Sequence, residues 1–218
     1  MKRSSLKGLD PLVKRLDKRL SSKDSVREQA IALSRELVRA CSEAIRELRE
    51  NGRAEKALER ARTLAARLKK ATAAHPELYF SGLVENALQE LAEAHIMEAL
   101  VTGKRIPAPE KFNCTAAAFL LGMGDSIGEL RRISQDALRR GDLREAEDAL
   151  HLMEQLYSAL NLFDYPDAIV PLRHKQDVAR SLIEKTRGEV VVAVRGRDLE
   201  KKITALEKVL ARHAPKRR

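Results

Sequence analysis

Tryptophan is absent, and aromatic residues make up only 3% of the chain. Base stacking on aromatic platforms therefore cannot dominate any nucleic-acid contact. Cysteine is scarce: Cys41 and Cys114 are the two present, with no CxxC spacing. That excludes a thiolate metal cage and a disulfide framework. Both lie in apolar surroundings and read as reduced core residues of a cytosolic protein. No run reaches the roughly 18–20 apolar residues needed to span a bilayer, so no membrane partner is expected. The first twenty residues, MKRSSLKGLDPLVKRLDKRL, are charged throughout and lack the apolar core of a signal peptide. Repeats and low-complexity linkers are also missing. No phosphate-binding Walker A loop and no nucleophile elbow occurs. None of the five histidines follows a glutamate by three residues, which excludes a ferritin-like di-iron bundle.

Lysine and arginine, by contrast, are abundant: 42 against 32 acidic residues in 218, a formal charge of +10. An excess of basic charge points to a polyanion partner, usually nucleic acid. Ala, Leu, Glu, Lys and Arg dominate, which favours helix. The length suits one domain spanning 1–218, with a basic N-terminal helix (1–24) and a basic tail (213–218).

Apolar periodicity of three and four predicts helices from end to end. A short helix is expected from Pro11 to Leu20, then a break at Ser21 to Ser25, where Ser25 and Glu28 form a capping-box pattern. Val26, Ala30, Leu33, Leu37, Cys41, Ala44 and Leu48 mark one face of a long second helix that ends at Asn51-Gly52. Further helices are expected at about 53–73, 77–102, 115–140, 142–162, 171–195 and 198–212. Val190 to Val194 reads as the buried end of a helix rather than a strand. The fold class is all-α, an antiparallel bundle of about seven long helices.

Two stretches stand out against the basic background. Residues 71–103 and 112–130 contain no Lys or Arg. The first holds Glu90 and Glu93, the second Asp125 and Glu129, each pair on one helix face. Burying an unpaired charge costs several kcal/mol, on the order of a domain's whole stability. These carboxylates therefore need a distant cation, a proton or a metal ion. Gly122, Gly124 and Gly128 surround the second pair. Each costs roughly 1 kcal/mol in a helix, which is explained if a backbone or ligand approaches closely. If the two helices are neighbours, the four carboxylates converge, and such a set without bases suits Mg2+ or Mn2+. Acidic pairs on helices more often form solvated faces or ion pairs. Arg144 and His151, with six residues between them, resemble the metal-independent RNase pattern of HEPN domains, a spacing that basic helical chains produce easily.

Basic candidates for phosphate contact are Lys14, Arg15, Lys18 and Arg19 on the first helix and Arg131 and Arg132 beside the second acidic pair. Such contact should be electrostatic and salt-dependent.

LLGMGDSIGELRRISQDALRRGD resembles the core motif of the translin superfamily, and ALQELAEA (Ala87 to Ala94) resembles a helix of translin-associated factor X. DAIVPLRHKQDVARSLIEKTRGEVVVAVRGR resembles the family's C-terminal helix, and the similarity runs from about Ser25 to Arg197. The resemblance implies a seven-helix subunit that builds a hollow homo-oligomer, an octamer, binding single-stranded RNA and DNA. In the factor X branch it implies Mg2+-dependent endoribonuclease activity on single-stranded RNA inside the shell. That branch's E-x-x-E and D-x-x-x-E motifs fall on Glu90, Glu93, Asp125 and Glu129. Translin's basic segment before the first acidic helix is replaced here by ELYFSGLVENA. A compact chain of this kind suits a stand-alone, archaeal-like member.

Overall fold

The computed structural model describes residues 8–213. The described residues are all-α, with seven helices and one 3-10 turn: α1 (Leu9–Asn51), α2 (Glu55–Ala71), α3 (Pro76–Tyr79), α4 (Gly82–Thr102), the 3-10 turn (Pro109–Phe112), α5 (Ala116–Arg140), α6 (Leu143–Leu160) and α7 (Arg173–His213). They divide into two compact units, the boundary falling within α5 between Gly122 and Met123. The basic tail Lys216 to Arg218 lies outside the described residues.

In the first unit, α1 packs against α2 and α4. The expected stripe does the packing: Ala30, Leu33, Leu37, Cys41, Ala44 and Leu48 are buried, while Val26 is half-buried. Gly52 ends α1 in the left-handed conformation, its N–H donating to the Leu48 carbonyl at 2.9 Å. The second unit pairs α6 with α7. Asp142 caps α6 by accepting from the Glu145 N–H at 3.1 Å. Val190 is buried within α7 beside Ala137 and Ala146, so VVVAV is helical.

Three boundaries differ from the sequence reading. The expected break at Ser21 to Ser25 does not occur, and α1 is continuous over 43 residues. Serine caps a helix only where the backbone turns extended. With no Gly or Pro nearby, its small propensity deficit does not stop propagation. Likewise α7 runs through Gly196 without the expected interruption. The opposite occurs at 77–102. Pro76 opens a four-residue α3, and Ser81 turns extended (φ −75°, ψ 148°) before α4 starts. The Ser81 hydroxyl is spent backwards on the Leu78 carbonyl at 2.7 Å.

Candidate functional site

Glu90 and Glu93 lie on α4 in the first unit. Glu93 is buried, at 7% exposure, and Glu90 is half-buried. Their charges are felt at Cys41 on α1: burial raises that thiol's pKa, and Glu90 and then Glu93 raise it further. Burial, with the charge of Glu85, pushes the Cys114 thiol up to about 12. Both cysteines are free and stay protonated. The donors gathered around α4 are thus carboxylate oxygens rather than thiolates.

Gly122 is where α5 meets α4. A Cβ there would stand 2.5 Å from the Gln89 carbonyl oxygen, 2.8 Å from the Ala92 Cβ and 2.9 Å from the Glu93 nitrogen. The glycine lets α5 touch the backbone turn that carries Glu90 and Glu93. Thr115 caps α5, accepting from the Ala118 N–H at 3.1 Å, and its hydroxyl donates to Glu85 at 2.7 Å.

In the second unit, Asp125 and Glu129 are half-buried on α5. Asp125 pairs with the ammonium of Lys175 on α7. Gly124 makes room for that lysine: a Cβ there would sit 3.1 Å from the Lys175 Cβ. Glu129 pairs with Arg132 one turn on, at 3.2 Å. Gly128 faces open space. Among the described residues, no three His, Cys, Asp or Glu side chains form a group that could hold a metal ion.

Arg131 is deeply engaged. Its side chain is 15% exposed and donates to the Thr186 hydroxyl at 2.6 Å and to Glu189 at 2.7 Å, which ties α5 to α7. Arg132 is exposed apart from its Glu129 pair. Lys14, Arg15, Lys18 and Arg19 are all exposed on α1. Arg15, Lys18 and Arg19 line a groove of about 600 Å3 with Lys23 and His75. Lys175 was the residue that sequence reasoning missed. It sits fifty positions from Asp125 in a basic stretch, and only the packing of α7 on α5 singles it out.

The sequence model of the translin family matches residues 25–196. The chain belongs to the translin family. An uncharacterized protein of Methanocaldococcus jannaschii is 32% identical over 191 residues, covering 86% of this chain and 85% of its own length. Among solved structures, the crystal structure of AfC3PO shares the fold at a TM-score of 0.76, with 34% identity over 85% of this chain and 98% of its own. The AfC3PO–duplex RNA complex matches at a TM-score of 0.75, with 34% identity over 85% of this chain and 97% of its own.

All four acidic residues fall inside the translin match, whereas Lys14, Arg15, Lys18 and Arg19 precede it. The exposed leucines Leu9, Leu12, Leu16 and Leu20 on α1 also precede it, and Leu199, Leu206 and Leu210 on α7 follow it. No helix among the described residues is long and apolar enough to cross a membrane.

Proposed function

We propose that this translin-family protein is a homo-oligomeric, Mg2+-dependent endoribonuclease acting on single-stranded RNA. The observation that carries the RNA ligand is the likeness, over most of both chains, to a protein solved with duplex RNA. Glu90, Glu93, Asp125 and Glu129 are the metal ligands and catalytic acids in this reading. Donor chemistry supports it, since carboxylate oxygens suit a hard cation such as Mg2+ or Mn2+ and both thiols stay protonated. A bound divalent cation supplies Lewis acidity and lowers the pKa of attacking water. The chain's own residues do the rest. Glu93 is buried on α4 and so is largely shielded from bulk water. Lys175 neutralises Asp125 when the site is empty and remains nearby as a cation for a phosphate oxygen.

The subunits assemble into an octamer in this reading, and the exposed leucines near the start of α1 and the end of α7 support self-association. Such apolar rows are costly in water and are covered when a second copy packs on them. Lys14, Arg15, Lys18, Arg19 and Arg132 provide the electrostatic contacts to single-stranded RNA or DNA. The two free thiols, Cys41 buried and Cys114 half-buried, fit a cytoplasmic location.

One observation favours a second reading, a non-catalytic single-strand-binding protein of the same fold. Lysine on Asp125 and arginine on Glu129 are the counter-ions that a purely structural acidic pair requires. The deciding experiment incubates a single-stranded RNA with the wild type plus Mg2+, with the wild type plus EDTA, and with Glu129→Ala plus Mg2+. Cleavage in the first alone is expected. Equal cleavage in all three overturns the metal site, and salt-sensitive binding without cleavage in any leaves the binder.

A further inference from the structure

A second cluster lies at the C-terminal end of α4, away from the acidic pair on that helix. Arg62, Lys104, Arg105 and Lys111 line one cavity of about 290 Å3. Its single carboxylate is Glu98, which takes Arg62 at 3.3 Å and Lys104 at 3.4 Å. Among the described residues, Arg105 and Lys111 have no carboxylate partner. Arg62 also pairs with Glu59 at 3.2 Å, so four cations against two carboxylates leave two positive charges at one small space. The carbonyls at the end of α4 offset roughly half a charge through the helix dipole, so about one and a half remain.

His95 forms part of the wall and is only 2% exposed. Its ring lies against Phe112, with centroids 4.5 Å apart. Nδ1 is 3.5 Å from the Glu98 carboxylate, which favours the Nδ1–H tautomer. Nε2 has no hydrogen-bond partner. A buried ring nitrogen left unmatched costs roughly 1–3 kcal/mol.

We propose that this cavity binds a phosphomonoester on a ribose: the terminal phosphate of an RNA strand or that of a free mononucleotide. Charge selects the monoester. It carries about −1.5 to −2 at neutral pH, against −1 for an internal diester, and so better matches the excess. Size agrees, because small-ligand pockets run from roughly 300 Å3 upward, and this cavity takes a phosphate and its sugar but no duplex. Arg105, Lys111 and Lys104 hold the phosphate. The strand-end form rests on the RNA reading above, while the mononucleotide form does not.

The test measures binding in EDTA, where metal-dependent cleavage is silent. Short oligoribonucleotides bearing a 5′-phosphate, a 3′-phosphate or neither are compared by fluorescence anisotropy, with a nucleoside monophosphate as competitor. One extra charge-assisted contact predicts about tenfold tighter binding of one phosphorylated end. The preference should vanish in Arg105→Ala/Lys111→Ala, whose side chains are exposed, and persist in Lys14→Ala/Lys18→Ala and in Glu129→Ala. Equal binding of the three oligonucleotides, together with competition by the mononucleotide that the Arg105/Lys111 variant abolishes, assigns the cavity to a free nucleotide. Equal binding with no such competition overturns the proposal, as does a preference that survives in the Arg105/Lys111 variant. A phosphate preference without RNA cleavage leaves the cavity standing and removes only the nuclease.

Discussion

Gly122→Ala is the sharpest probe of how the acidic helices are held. A methyl at this position would stand 2.5 Å from the Gln89 carbonyl oxygen and 2.9 Å from the Glu93 nitrogen, both backbone atoms of α4. Backbone cannot swing aside as a side-chain tip can, so α4 or α5 must shift. Overpacking of this kind costs about 1–3 kcal/mol. Alanine returns roughly 1 kcal/mol of helix propensity. Two backbone atoms under 3.0 Å put the overpacking cost at about 2–3 kcal/mol, so the net is a loss of about 1–2 kcal/mol, or roughly 2–8 °C in Tm for a chain of this size. Gly128→Ala is the matched control on the same helix, with nothing within 4 Å of the new methyl. It keeps the propensity gain and should raise the midpoint. Gly124→Ala falls between them, because the Lys175 Cβ at 3.1 Å must yield slightly. Thermal and urea unfolding of the three variants give the order. A Gly122→Ala midpoint at or above wild type would refute the reasoning. Because Glu93 belongs to the displaced turn, magnesium-dependent cleavage by Gly122→Ala should fall even well below its Tm.

His95 predicts an acid-sensitive core. Burial, then the charge of Arg62, lowers its pKa to about 4, while the unfolded chain titrates near 6.5. The unfolded state therefore takes up a proton first. Stability is full above pH 6.5, falls on the order of 3 kcal/mol as pH drops to about 4, and is flat below that as far as this group is concerned. Urea unfolding at pH 7 and pH 5 should show the fall, and His95→Phe should remove most of it. Arg131→Met should lower stability by about 1–3 kcal/mol through loss of the Thr186 and Glu189 contacts. Its RNA affinity should keep the wild-type salt slope; a slope reduced by about one would make Arg131 a phosphate contact. Lys175→Gln removes the ammonium from Asp125 and should tighten divalent-cation binding about tenfold by calorimetry. Lost stability with no cation binding in either protein would mark the pair as structural.

The helical faces were legible because burial follows period. Leu33, Leu37, Cys41 and Leu48 could be assigned to one side of α1 from spacing alone, and they are buried there. Boundaries were less legible where a residue has two uses. Ser25 can cap or continue a helix, and it continues; Ser81 could have continued, and it turns the chain. The acidic pairs were visible as gaps in a basic sequence. The counter-ion of Asp125 was not, since Lys175 is one lysine among many until α7 is packed on α5. Arg131 misleads in the same way. Beside Arg132 it reads as a surface cation, yet it is spent inside the second unit.

The sequence by itself determined the helical class, the basic surface and the position of four carboxylates on apolar helices. Periodicity and composition are local properties, and they survive without knowledge of the fold. Tertiary structure decided what each charge meets. Only packing puts an α4 backbone against Gly122, a lysine against Asp125 and Glu98 between two cations beside a buried histidine. Charges act over a few ångströms, and residues within that range can lie fifty positions apart in the chain.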